Sequence, residues 1–258
     1  MSDRTERFQI DGQPRVFLRL PAGEARVVAG DEGFVEVLMT GRDSVLDRFV
    51  VALRGDQIVI EPESGGRIGR WSGIDVEIRV GPGADIHARL AAGDVSIGTD
   101  IASLTVEAGA GDVSAGNVTD DARIKTASGD VTAASVGGRL DVVAASGDIR
   151  VRSIGGDVSA KTASGDIHLA EVGGSVSAHS ASGDIEVSKF AGDEFDAKTL
   201  AGDVRLGVPG GRTFAVDLST LSGDVSTDFP VSPGGGSGVT ARLTVKTMTG
   251  DIVVRPAR

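Results

Sequence analysis

Apolar side chains recur through positions 91–228 with a period of 18 residues, which is fixed as far as Asp184 and loosens after it. One repeat has them at Val131, Ala133, Val136, Leu140, Val142 and Ala145, and the next at Ile149, Val151, Ile154, Val158, Ala160 and Ala163. Polar residues alternate with these positions, and a period of two is typical of a half-buried β-strand. Because glycines interrupt the alternation twice in each repeat, we predict two short strands per repeat, with apolar side chains pointing inward.

Gly-Asp pairs mark the same period. The spacing between their aspartates is 18 at first, and then 19, 21 and 27: Asp94, Asp112, Asp130, Asp148, Asp166, Asp184, Asp203, Asp224 and Asp251. At such a corner glycine supplies unusual backbone angles and aspartate accepts backbone N–H bonds. A calcium ladder is the alternative, but the Gly-x-Asp offset of calcium β-rolls is missing and Arg139 stands where the next repeat has Asp157. We therefore expect no bound metal.

A short fixed period is typical of a repeat architecture. An antiparallel meander would pair strands half a period apart, whereas a solenoid stacks each strand on its counterpart one full period away. Identity is stronger at the full period than at the half, because Ala-Ser-Gly-Asp returns only at every second corner. We therefore predict an all-β fold: a single-chain β-solenoid, similar to a β-helix, with 18-residue coils of two short strands each and an N-terminal β cap.

Residues 1–90 lack the 18-residue period and predict a β-rich cap continuous with the array of residues 91–258. Strands are predicted in this cap at Arg15–Leu20, Arg26–Ala29, Phe34–Thr40, Arg48–Leu53, Gln57–Ile60, Ile74–Val80 and Ile86–Leu90. In the array, the step of 19 places one extra residue at Glu194, and Phe190, Phe195 and Leu200 are expected to enlarge the interior there. The C-terminal segments 239–245 and 252–254 are expected to close the far end.

Charge and composition exclude several classes of function. The net charge of −11 divides into −3 over residues 1–90 and −8 over residues 91–258, which argues against a nucleic-acid partner. Cysteine is absent, which excludes disulfides and a thiol nucleophile. No long apolar run predicts membrane insertion, and the polar start predicts no secretory signal, so we expect a cytoplasmic protein.

No catalytic constellation is recognisable. The three histidines, His87, His168 and His179, occupy unrelated positions, and we expect the last two to face solvent. A column of basic residues precedes the Gly-Asp corners, at Lys125, Lys161, His179, Lys198 and Lys246. It either relieves repulsion among the stacked acids or forms a stripe that binds anions or glycans. We expect a non-enzyme without a cofactor.

One glycine-rich segment outside the array is a candidate contact site. It contains Arg67, Arg70 and the only tryptophan, Trp71. Arginine and tryptophan are enriched at binding hot spots. Either Trp71 plugs the cap while the arginines keep it solvated, or the segment contacts a partner.

The Ser-Gly-Asp-Val/Ile columns resemble the bacterial putative-adhesin family of β-strand repeats, also called the toastrack domain. The resemblance runs over residues 10–255, from Val80-Gly81-Pro82-Gly83 to Thr249-Gly250-Asp251-Ile252. It implies a β-helix-like solenoid and a link to bacterial envelope-stress and signalling systems. We predict a rigid scaffold that presents surfaces to protein partners or to copies of itself. The alternative is an adhesin-like module that binds glycans or envelope polymers.

Overall fold

The computed structural model describes residues 1–63, 73–210, 212–228 and 241–257. The chain divides into two compact units, Met1–Gly129 and Asp130–Arg258. The predicted boundary near residue 90 lies inside the first unit, and the predicted division into cap and array stays a prediction. Both units consist of β-strands that stack as solenoid coils, so the predicted all-β solenoid is confirmed.

The strands of the first unit are β1 (Ser2–Gln9), β2 (Arg15–Leu20), β3 (Ala25–Ala29), β4 (Phe34–Gly41), β5 (Phe49–Arg54), β6 (Gln57–Pro62), β7 (Asp75–Val80), β8 (Ala84–Ala92), β9 (Val95–Ile97), β10 (Ile101–Ala110), β11 (Val113–Val118) and β12 (Ala122–Ser128). A short helix, α1 (Asp43–Leu46), lies between β4 and β5. Strand β1 was not predicted, because its outward and inward faces are both polar except at Phe8. Its backbone pairs antiparallel with β4 over the whole length of the strand.

The strands of the second unit are β13 (Val131–Val136), β14 (Leu140–Ser146), β15 (Ile149–Ile154), β16 (Val158–Ser164), β17 (Ile167–Val172), β18 (Val176–Ser182), β19 (Ile185–Phe190), β20 (Glu194–Ala201), β21 (Val204–Val208), β22 (Phe214–Ser222), β23 (Val225–Thr227), β24 (Ala241–Thr249) and β25 (Ile252–Pro256). They form two parallel ladders, and two successive strands make one coil. Val131 pairs with Ile149, and Ile149 pairs with Ile167, at the predicted offset of one period. Residues of the same type therefore stack on one another from coil to coil, as expected for parallel in-register pairing.

The inward positions differ from the prediction at each Ala-Ser-Gly-Asp corner. Ala145 and Ala163 are exposed, whereas the preceding residues Ala144 and Thr162 are buried. The same inward column holds other buried hydroxyl residues, and Thr199 Oγ1 donates to the Gly183 carbonyl of the neighbouring coil at 3.1 Å. This hydrogen bond satisfies a hydroxyl that would otherwise be costly to bury. In the coils that carry a hydroxyl in this column, a hydroxyl-to-carbonyl bond therefore closes the corner rather than the predicted alanine.

The first unit does not stack its coils in sequence order. The coil of β2 and β3 lies between the coil of β6 and β7 and the coil of β8 and β9. Two antiparallel strands cover the outermost coil: β5 pairs with β6, and β4 pairs with β7. The first unit therefore closes its outer coil by turning the chain back on it.

The second unit contains a comparable insertion at its C-terminal coils. Strand β24 pairs with β20 on one side and with β22 on the other, and β25 lies likewise between β21 and β23. The prediction that the last strands in sequence close the array is therefore wrong. The outermost coil there consists of β22 and β23, which we call the terminal coil. Because β22 and β24 carry the same inward pattern, the apolar periodicity does not distinguish the two orders.

None of the helices among the described residues has the length and apolar content needed to cross a membrane.

Candidate functional site

The Gly-Asp corners form a ladder of hydrogen bonds from coil to coil. Corner aspartates accept the backbone N–H of a counterpart one coil away: the N–H of Asp166 reaches Asp148 Oδ1 at 2.8 Å, and that of Asp184 reaches Asp166 Oδ1 at 2.8 Å. The ladder connects coils that are neighbours in space even where they are not consecutive in sequence. Asp203 accepts the backbone N–H of Asp251, and Asp251 accepts the backbone N–H of Asp224. The predicted backbone-capping role is confirmed.

Arginines balance the charge of these stacked acids. Arg150 lies 2.6 Å from Asp148 and 3.5 Å from Asp130, and Arg205 bridges Asp184 and Asp203 in the same way. The N–H of Asp166, together with Arg150, lowers the pKa of Asp148, although burial alone would raise it. The ladder carboxylates are therefore engaged in holding neighbouring coils together.

We expect the contribution of Asp148 to stability to disappear in acid. A lowered folded-state pKa gives stability that is fully present above the unfolded pKa of about 3.9 and is lost as the pH falls through the folded pKa. The difference in unfolding free energy between wild type and Asp148→Asn should therefore shrink below about pH 4. Urea unfolding from about pH 7 to about pH 3 measures it. Asp148→Ala should remain less stable than Asp148→Asn in acid, because the N–H of Asp166 then has no acceptor; a difference constant with pH would contradict the prediction.

The basic column pairs with acids of its own sheet rather than with the corners. Lys161, His179, Lys198 and Lys246 lie in register on consecutive strands of the second unit. Lys198 Nζ lies 2.7 Å from Asp196 Oδ2, and Lys246 Nζ lies 3.6 Å from an oxygen of Asp217. Relief of repulsion at the corners is therefore the wrong assignment for these two lysines, because Arg150 and Arg205 lie beside the corner acids.

The histidines occupy three separate places. His168 Nδ1 lies 3.4 Å from Glu186, whereas the His87 ring meets the Phe17 ring in a tilted arrangement, with centroids 5.1 Å apart and 60° between the ring planes. His179 lies 4.0 Å from Asp196, and burial together with Lys198 lowers its pKa. His168 and His179 are partly exposed on the outer face, as predicted. No described histidine is placed with a nucleophile.

An exposed apolar row crosses the last coils of the second unit. We call Leu200, Met248 and Leu221 the apolar row; their exposed fractions are 55%, 52% and 80%. They are neighbours, because the register of β20 with β24 and of β22 with β24 places them side by side. Leu200 was predicted to enlarge the interior, and this is wrong, whereas Phe190 and Phe195 are fully buried.

The sequence contained a signal for this row. The position three residues before each corner aspartate is alanine in Ala145, Ala163 and Ala181, and becomes Leu or Met in the last three coils. Since this column is outward at the corner, larger apolar side chains there enlarge the exposed apolar surface. The signal was missed because the column was predicted to face inward.

A shallow groove of about 300 Å³ crosses the other face of the second unit. Gly207 lies in it against the backbone of Ser188, and the charged side chains around it include Glu171, Glu186, Lys189, Arg205 and Arg255. Lys189 lies 3.5 Å from Glu171, and Arg205 pairs with the corner acids. The groove therefore offers mixed charge rather than a field of one sign.

A family comparison accounts for this architecture. The model of the Toastrack DUF4097 family matches residues 60–255. The chain belongs to the Toastrack family. No curated protein matches the sequence.

Two solved structures are similar to this chain. A putative adhesin from Bacteroides fragilis has a TM-score of 0.54 and 15% identity, and the match covers 98% of this chain and 97% of that one. A putative adhesin from Parabacteroides distasonis has a TM-score of 0.46 and 12% identity, with coverage of 98% and 97%. At these identities the first likeness shows the fold alone.

The contact site predicted from the sequence of this Toastrack chain stays a prediction. Arg67, Arg70 and Trp71 lie outside the described residues. Within the described ranges, no group of three or more His, Asp or Glu side chains is arranged to hold a metal ion. The apolar row and the groove are therefore the surface features from which a function can be argued.

Proposed function

We propose that this chain is a non-catalytic interaction scaffold, which presents its solenoid surface to a protein partner or to another copy of itself. The family supports an adhesin-like or binding scaffold in general terms. The proposal adds that the apolar row is the contact surface. A cytoplasmic location and a link to envelope-stress or signalling systems are further parts of the proposal.

The apolar row is the observation that carries this proposal. Its three side chains are more than half exposed and lie on adjacent strands, and Val225 of the terminal coil is 47% exposed. A contiguous exposed apolar patch is typical of an interaction surface, whereas scattered apolar residues are not. Equivalent positions in the preceding coils carry alanine, so the enlargement is confined to one region of the unit.

The non-catalytic part of the proposal is supported by the contacts of the titratable groups. The corner aspartates accept backbone N–H groups from neighbouring coils, and arginines neutralise several of them. Lys198 and Lys246 pair with acids of the same sheet. Such contacts, repeated from coil to coil, differ from a catalytic site, where groups with perturbed pKa values converge on one cleft.

Substitution of the row tests the proposal. The triple variant Leu200→Ser, Met248→Ser, Leu221→Ser should keep the melting temperature and lose at least about tenfold in affinity for whatever the wild type retains from extracts of the source cell. The control is Val143→Ser, since Val143 is also an outward apolar residue of this unit, 40% exposed. Equal retention by the triple variant and the control would exclude the row as the contact surface.

The groove favours the alternative, a module that binds glycans or envelope polymers. Its paired charges and the guanidinium of Arg255 could hydrogen-bond to sugar hydroxyls. A glycan array probed with wild type and Arg255→Gln separates the two functions. Glycan binding that depends on Arg255 but not on the apolar row would support the alternative.

A further inference from the structure

The outermost coils of the two units differ in how their strand edges are covered. In the first unit, antiparallel strands cover both strands of the outermost coil, with Phe49 opposite Pro62 and Val35 opposite Val80. In the second unit, the terminal coil pairs only with β24 and β25. Within the described ranges no strand pairs with its outer edge. An edge on which no strand lies can pair with a strand of another chain.

The apolar interior also ends at this edge. Val216 and Leu218 of β22 are only partly buried and Val225 of β23 is 47% exposed. Their register partners on β24 and β25, Leu243, Val245 and Ile252, are 0% exposed. A further strand on the edge would therefore bury apolar side chains as well as pair backbone groups.

Strand β22 lacks the usual devices that prevent edge pairing. It contains neither proline nor lysine, and its one charged residue, Asp217, lies 3.6 Å from Lys246 of the same chain. An antiparallel alignment of two β22 strands centred on Leu218 places Asp217 of each copy opposite Ser219 of the other. No like charges then face each other, and the inward residues of both copies lie on the same face. Such an alignment has the twofold symmetry of a closed dimer.

We propose that a second copy of this chain docks on the terminal coil by antiparallel pairing of β22 with β22. This inference rests on the proposed scaffold function and names its partner as the chain itself. The second copy supplies for β22 what β5 supplies for β6 in the first unit. The apolar row borders the joint, because Leu221 then lies opposite Ala215 of the partner copy.

A charge introduced at one outward position tests both the partner and the alignment. Ser219 is exposed, and in the alignment Ser219→Asp places two aspartates opposite the two Asp217 side chains, whereas Ser219→Lys places two lysines there. Light scattering on the full chain over a range of concentrations should show a dimer for wild type. We expect Ser219→Asp to raise its dissociation constant about tenfold and Ser219→Lys to lower it. The matched control Ser114→Asp, an exposed serine of the first unit, should leave it unchanged.

Each other result overturns the inference. If the wild type stays monomeric, no second copy docks. If the wild type stays monomeric but a variant without residues 231–238 dimerises, a segment of the same chain takes the place proposed for the second copy. Equal dimerisation of wild type and Ser219→Asp excludes this strand pairing. If self-association fails while the apolar row still captures another protein, the scaffold function stands without this inference; if both fail, the scaffold function fails too.

Discussion

Replacement of Gly165 by alanine should lower the free energy of unfolding by about 3 kcal/mol or more. Gly165 has a φ of +144°, which residues with a side chain rarely adopt, and a Cβ there would overlap the carbonyl oxygen of Gly147. The obstacle is backbone of the neighbouring coil, so a rotamer change cannot relieve it. The coils would have to move apart, which would lengthen the ladder bond from the N–H of Asp166 to Asp148.

Alanine substitutions at two other glycines separate the two causes of this loss, which are backbone strain and overlap with the neighbouring coil. At Gly210 a Cβ would meet nothing within 4 Å and the φ is ordinary, so Gly210→Ala should change stability by less than about 0.5 kcal/mol. Gly12 has a φ of +106° with open space around it, so Gly12→Ala measures backbone strain alone, about 1–3 kcal/mol. Urea unfolding of the three variants gives the comparison. Equal losses at Gly165 and Gly12 would show that the close approach of the coils costs nothing.

The repeating part of the fold could be predicted because the parallel register acts on every coil in the same way. Each inward column repeats its residue type, as in Ile149 over Ile167, and each corner repeats Gly-Asp. The extra residue predicted near Glu194 also agrees with the structure, since the offset changes from 18 between Val172 and Phe190 to 19 between Val176 and Phe195.

The order of the outer coils could not be predicted from the same pattern. An inward apolar residue such as Val216 or Leu243 fits the same column whichever strand lies beside it. Hydrophobic periodicity does not record where the connection between two coils crosses, so it leaves their order open. Strand β1 was missed for a related reason: its pairing with β4 uses backbone groups, and backbone pairing leaves no apolar signature.

The candidate site was harder to predict than the fold, because it depends on which of two successive residues points inward at the corner. If the residue three positions before the aspartate faces inward, Leu200 belongs to the core; if it faces outward, Leu200, Met248 and Leu221 form a surface row. The hydrogen bond from Thr199 to the Gly183 carbonyl fixes the second arrangement. Threonine is common on either face of a strand, so its inward position here could not be recognised from composition.

Replacement of Phe195 by alanine should lower the free energy of unfolding by about 3–5 kcal/mol. Phe195 is 0% exposed and meets the Phe190 ring edge to face, with centroids 5.4 Å apart. Val176 and Leu243 pair with it on its two sides, so the space left by the ring is enclosed by strands that cannot close in without losing their ladders. Thermal or urea unfolding of the variant measures the loss.

Leu200→Ala is the matched control, since Leu200 lies on the same strand as Phe195 and is 55% exposed. Its loss should stay below about 1 kcal/mol, because more than half of its side chain remains in water after folding. A loss at Leu200 as large as that at Phe195 would mean that the corner turns the other way and that the apolar row is part of the core. The pair of variants therefore tests the assignment of inward and outward faces on which the proposed contact surface depends.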